Sequence, residues 1–198
     1  MNEPVPVPAA IQPTHWHATA RSNEHPGEVA AAFRDSFVAL FDAQFPRLFR
    51  YLDRLSGDPE LAADLAQDAF VRLYRRGSLP ESPEAWLISV GLNLFRNTRT
   101  TAARRRRLLT PWTGRRGHGE APPSAARELE AETNRYEVRR ALDCLPERER
   151  SLLLLKAEGY SYRDIAAALR LREGSVGTLL GRAVQAFRRA YGRPSDAH

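Results

Sequence analysis

The side chains best suited to gripping a polyanion are concentrated in one segment, Ser161 to Arg189 (SYRDIAAALRLREGSVGTLLGRAVQAFRR). Arg163, Ser175, Thr178 and Arg182 can donate hydrogen bonds to base edges or phosphate oxygens. Gly177 and Gly181, four residues apart, leave a bare helix surface that a ligand could approach closely. Seven arginines and two acids lie between Ser161 and Arg193. To act together these groups must share one helix face. Ser161 and Asp164 form an S-x-x-D start signal, and Ile165, Ala166 and Leu169 fall on one inward side. Arg170 to Gly174 then predicts a turn, with Ser175 as the cap of a second helix. In that helix Val176, Leu179, Leu180, Ala183, Phe187 and Tyr191 repeat at helical spacing. Ser175, Gly177, Thr178, Gly181, Arg182, Gln185, Arg188 and Arg189 are left outside. Two such helices make a helix-turn-helix, whose second helix enters the DNA major groove. A helical hairpin with a solvated arginine face would give the same pattern.

A second basic surface lies upstream. Eight arginines and no acidic residue occur between Ala85 and Gly119. Pro83 opens a predicted helix from Glu84 to about Arg107, with Trp86, Leu87, Val90, Leu94 and Phe95 supplying its buried face. Trp86, Asn93, Arg96, Asn97, Arg99, Arg104 and Arg105 are its candidate nucleic-acid residues. Aromatic, amide and arginine groups side by side suit a partly opened strand, because bases stack while arginines hold phosphates.

The helix before it has a different surface. In ELAADLAQDAFVRLYRR, Leu61, Leu65, Ala69, Phe70 and Leu73 point inward. Asp64, Gln67, Asp68 and Arg72 share a polar face. Two acids suit a protein partner better than DNA, although an Asp68–Arg72 pair on a solvated face would look the same.

Composition bounds the function. Of 30 basic residues all but Lys156 are arginine, the net charge is +6 and the sequence pI about 10.1. Such a balance favours a polyanionic partner through counterion release. Cys144 is the only cysteine, which excludes an internal disulfide framework or a cysteine-based zinc site. Its place between Leu142 and Leu145 predicts a small buried residue. No apolar run approaches the roughly 20 residues that span a bilayer. The N-terminus lacks the basic start and apolar core of a secretory signal. The expected location is the cytoplasm, with no membrane insertion. Neither a Ser/His/Asp set, a metal cluster nor a phosphate-cradling loop is visible, so no enzyme, metal or cofactor is expected. His15, His17 and His25 read as tail residues, not ligands.

The expected fold is all-α. Residues 1–30, rich in proline and polar residues, predict a disordered tail. Residues 31–108 form a first helical domain, in which Gly57-Asp58-Pro59 separates two helices. Residues 109–127 predict a flexible linker rich in Pro, Gly and Ser. Residues 128–192 form a second helical domain containing the helix-turn-helix, with Pro146 at a first helical position.

Three segments in this order resemble the sigma-70 family, specifically its extracytoplasmic-function (ECF) type. DLAQDAFVRLYR (Asp64 to Arg75) is similar to the family's core-polymerase-binding helix. WLISVGLNLFRNTRTTAARRRR (Trp86 to Arg107) is similar to its −10 recognition and strand-opening region. Leu142 to Arg189 is similar to its −35-binding domain. The resemblance implies that Asp64, Gln67, Asp68 and Arg72 meet core RNA polymerase. It implies a −10 role for the Trp86 to Arg105 set, and a −35 role for Arg163, Ser175, Gly177, Thr178, Gly181 and Arg182. Gly177 and Leu179 stand where the family often has basic residues, and Asp164 where Glu is usual. Many family members are held by an anti-sigma factor, so that partner is implied beside polymerase and promoter DNA. The expected function is promoter-specific transcription initiation. A DNA-binding regulator acting without a holoenzyme is the alternative, and a nucleic-acid-processing enzyme fits less well, because its histidines and carboxylates form no cluster.

Overall fold

A computed structural model describes the backbone of residues 26–108 and 125–192, and the side chains of 31–101 and 134–192. The described residues form α1 (Pro26–Ser56), α2 (Pro59–Arg76), α3 (Pro83–Leu108), α4 (Ala125–Asp143), α5 (Glu147–Ala157), α6 (Tyr162–Leu169) and α7 (Glu173–Tyr191), with no strand among them.

The first helix starts inside the stretch expected to be disordered. Pro26 opens α1, a position where its missing N–H is not needed. Residues 1–25, with His15, His17 and His25, lie outside the described residues. Phe33, Phe37, Phe41 and Phe45 recur every four residues along α1 and meet Phe70 and Tyr74 of α2. Phe41 and Phe70 pack edge to face at 4.9 Å, and Phe37 and Tyr74 at 5.2 Å. Such pairs add about 0.5–1.5 kcal/mol each beyond burial.

Both ends of α2 are fixed locally. Asp58 caps it by accepting the Leu61 amide at 3.1 Å, and Gly77, at φ 73°, closes it in the left-handed region. In α3 the fully buried residues are Ala85, Leu87, Ile88, Leu92 and Phe95. Trp86, Val90 and Leu94, expected to carry the buried face, are only partly covered. The difference arises because α3 is packed by α1 and α2 on one side and by α6 on another. Ile88 and Leu92 thereby become core. At Gly91 an added Cβ would stand 3.3 Å from Leu52, so α1 and α3 cross closely.

In the C-terminal half, α4 begins at Ala125, slightly before the expected end of the linker; residues 109–124 lie outside the described residues. Pro146 is the residue before α5, not its first. The end of α5 is a Schellman turn: Gly159, at φ 80°, donates to the Lys156 carbonyl and Tyr160 to that of Leu155. Ser161 caps α6 by accepting the Asp164 amide and donates to the Asp164 carboxylate. Arg170 ends α6 at φ 55°. A side chain in that left-handed region costs about 1–2 kcal/mol. This compact ending lets α7 start at Glu173, so Ser175 lies in its first turn and is not the cap. Val176, Leu180 and Ala183 are the buried stripe of α7. Tyr191 is exposed and donates to Asn134 at 3.0 Å. Cys144 is also exposed, against expectation, because the core side of this helix end is taken by Ala141 and Leu145.

The two halves pack against each other. One hydrophobic cluster runs from Leu48, Leu52 and Leu87 to Leu152, Leu155 and Ile165. Tyr51, fully buried on α1, donates to Ser151 of α5 at 3.2 Å. Ser89 of α3 donates to the Ala168 carbonyl of α6 at 3.2 Å. Burial pushes the phenols of Tyr51 and Tyr160 well above their usual range.

Ile88→Ala is expected to cost about 2–5 kcal/mol by chemical denaturation; a loss below about 1 kcal/mol would place Ile88 outside the core. The raised phenols also fix a pH window. Their neutral forms are favoured by folding, so their contribution is intact below about pH 10, the usual tyrosine value, and is lost as pH climbs above it. Tyr51→Phe should make the stability curve flatter at alkaline pH than that of the wild type.

Candidate nucleic-acid and protein interfaces

The helix-turn-helix presents the outer face expected of it. Gly177, Thr178, Gly181 and Arg182 are exposed along α7, and Ser175 is half-buried at its start. A Cβ at Gly181 would meet nothing within 4 Å, and one at Gly177 only Tyr162, at 3.7 Å. Neither glycine is required by internal packing. Arg163 projects from α6 and stands 3.8 Å from Glu81, with both side chains largely in solvent. Lys156 lies over the Tyr162 ring at 4.9 Å, adding a cation near the same edge.

The α3 face is organised by helical spacing. Trp86, Asn93 and Asn97 fall at i, i+7 and i+11, so they share one stripe. Asn93, Arg96, Asn97 and Arg99 are exposed, and Trp86 is half-buried against the core. Thr98 and Thr100 donate back to the Leu94 and Arg96 carbonyls. Arg99 lies over the Phe95 ring at 5.7 Å. Arg104 and Arg105 continue α3 beyond the described side chains.

The α2 face carries Asp64, Gln67 and Arg72 exposed, with Asp68 half-buried. Arg72 reaches both Asp68 oxygens, at 3.1 and 3.3 Å, an exposed pair worth about 0.2–0.5 kcal/mol. Exposed Val71 and Tyr74 extend this face with apolar surface, a component the polar pattern did not reveal.

Sequence reasoning missed the acids that face the arginines. Arg96 pairs with Glu147 of α5 at 2.7 Å and Arg99 stands 3.8 Å from it. Glu158, its side chain 3% exposed, is held by Arg50 at 2.8 Å and Arg54 at 2.7 Å. Arg47 donates to the Glu158 carbonyl at 3.1 Å and covers the Tyr160 ring at 4.2 Å. The i, i+3, i+7 spacing of Arg47, Arg50 and Arg54 was the available signal.

Two helical segments, one with exposed asparagines and arginines along α3 and one with a helix-turn-helix, have the architecture of a DNA-binding protein of the sigma type. The family description "Sigma-70 region 2" matches residues 40–106, and "Sigma-70, region 4" matches residues 135–187. The chain is 31% identical over 164 residues to the ECF RNA polymerase sigma factor SigL of Mycobacterium tuberculosis (strain ATCC 25618 / H37Rv), covering 80% of this chain and 90% of SigL. It is 33% identical over 161 residues to EcfG of Rhodopseudomonas palustris (strain TIE-1), covering 77% and 81%. To SigE of Mycolicibacterium smegmatis it is 31% identical over 145 residues, which are 72% of this chain and 56% of that protein's length. The fold is similar to the sigma factor RpoE solved with the anti-sigma factor NepR from Bartonella quintana, with TM-score 0.58, 19% identity, and coverage of 82% of this chain and 99% of that one. CnrH, solved with the cytosolic domain of CnrY, gives TM-score 0.54 and 22% identity, with coverage of 82% and 92%. The chain belongs to the sigma-70 family, in its ECF group.

Gly181→Ala separates folding from DNA contact. With open space around the new Cβ, it should stabilise the free chain by about 1 kcal/mol. If DNA backbone or a base comes close there, it should weaken −35 duplex binding at the same time. Gains in both would show that no such approach occurs.

Proposed function

We propose that this protein is a sigma factor that binds core RNA polymerase and directs promoter-specific initiation of DNA-templated transcription. The observation that carries the reading is the presence, on one chain, of sigma region 2 and region 4 segments. Each has an exposed basic helix face, and the region 2 segment also carries an acidic-polar helix face, on α2, suited to a protein. Polymerase supplies the chemistry of bond formation and the sigma factor supplies address, so the chain itself needs no catalytic group.

Residues 31–108 are assigned the polymerase and −10 roles, and residues 128–192 the −35 role. Asp64, Gln67, Asp68 and Arg72 face the polymerase, with Val71 and Tyr74 adding apolar contact. Asn93, Asn97 and Trp86 form a stripe on which unpaired bases can lie, while Arg96, Arg99, Arg104 and Arg105 hold phosphates. Thr178 and Arg182 of α7 reach base edges in the major groove, and Arg163 and Ser175 hold the flanking backbone. Gly177 and Gly181 let that helix sit deep. The structural relative RpoE, solved with the anti-sigma factor NepR, supports a partner of the same kind for this chain. No described helix is long and apolar enough to cross a membrane, and the proposed site of action is the cytoplasm, where polymerase works. A regulator acting without polymerase would have no use for the exposed Asp64–Arg72 face.

Asp64→Arg combined with Asp68→Arg should abolish binding to core polymerase in a pull-down, while circular dichroism stays unchanged because the positions are at the surface. Wild-type affinity in the double variant would remove α2 from the polymerase interface.

A further inference from the structure

We propose that α1 carries a self-complementary face on which a second copy of this chain docks, antiparallel and centred on Val38. Val38 is 56% exposed, the barest large aliphatic side chain among the described residues, and Phe41, three residues on, is exposed as well. Residues three and four apart share a helix face. Ala31, Arg34, Val38, Phe41, Asp42 and Phe45 therefore lie along one stripe of α1. Phe45 is packed against the core and roots one end of the stripe in the fold.

The charges give this stripe a symmetry. Arg34 stands four residues before Val38 and Asp42 four residues after it, about 6 Å along the axis in each direction. Both are exposed, and neither is paired with another described residue. In a two-fold contact the same patch meets itself, so positions equally far before and after the axis come level. Turned about Val38, a second copy sets Val38 against the partner's Val38. Arg34 comes level with the partner's Asp42, and Asp42 with the partner's Arg34. Ala31 comes level with the partner's Phe45, small against large. Two opposite-charge pairs thus flank one apolar centre, and Asp35 is left at the rim. A parallel pairing would set Arg34 against the partner's Arg34 and Asp42 against the partner's Asp42, so charge fixes the direction. A foreign protein has no need of a face with this symmetry, whereas a copy of the chain requires it. The stripe is on α1 and the Asp64–Arg72 face on α2, so the inference does not rest on the proposed polymerase contact.

Sedimentation equilibrium of the full chain reads the assembly directly. The mean mass of the wild type should climb from 22.3 kDa towards twice that value as concentration rises. Val38→Asp should stay at the single-chain mass. Arg34→Asp and Asp42→Arg should each weaken the dimer about tenfold, because each sets like charges against one another at both pairs. Arg34→Asp combined with Asp42→Arg should return the association to that of the wild type, since the reversed pairs are again opposite in sign. All three positions are exposed, so the fold is spared, and circular dichroism checks it. A wild type that keeps the single-chain mass at every concentration would rule out the dimer. Association that survives Val38→Asp, or that the double reversal fails to restore, would overturn α1 as its face.

Discussion

A carboxylate almost cut off from water, Glu158, decides how the halves of this molecule meet. Its position is set locally. Gly159 takes a left-handed conformation at the end of α5 and turns the chain sharply, leaving Glu158 as the last residue before the turn. A negative side chain at a helix C-terminus is disfavoured by the dipole, and burial adds to that cost. Arg50 and Arg54 offset both. Glu158 is buried while both of its arginines are about half exposed, so the contact stands between a fully buried ion pair and an exposed one such as Asp68–Arg72, worth about 0–1 kcal/mol.

Once α5 is fixed on α1, the rest of the closed arrangement follows. Tyr51 and Ser151 are brought together in the core, α6 comes to rest on α3, and Glu147 reaches Arg96. The exposed arginine pairs are weak and screened by salt. The Glu158 carboxylate is shielded from water, while Arg50 and Arg54 remain half exposed.

Much of this was legible in the sequence because it is local. Asp58 and Gly77 announce the ends of α2, Ser161 and Asp164 the start of α6, and the spacing of Val176, Leu180 and Ala183 the inward side of α7. The acid-free run after Ala85 marks the α3 surface. What the sequence hid is non-local or depends on one backbone angle. Arg170 adopts a left-handed conformation usually left to glycine, which shortened the turn and moved Ser175 into α7. Ile88 and Leu92 become core only because α6 lies against α3. Glu147 and Glu158 look like ordinary surface acids until the second half docks. Pro26 sits in a proline-rich stretch and so was assigned to the tail, although it opens a 31-residue helix.

The central claim is that this chain directs core RNA polymerase to a promoter. Transcription in vitro with purified core polymerase on a promoter template tests it most directly. The account predicts promoter-specific transcript when the chain is added to core polymerase and none from core polymerase alone. Equal transcript with and without the chain would contradict it.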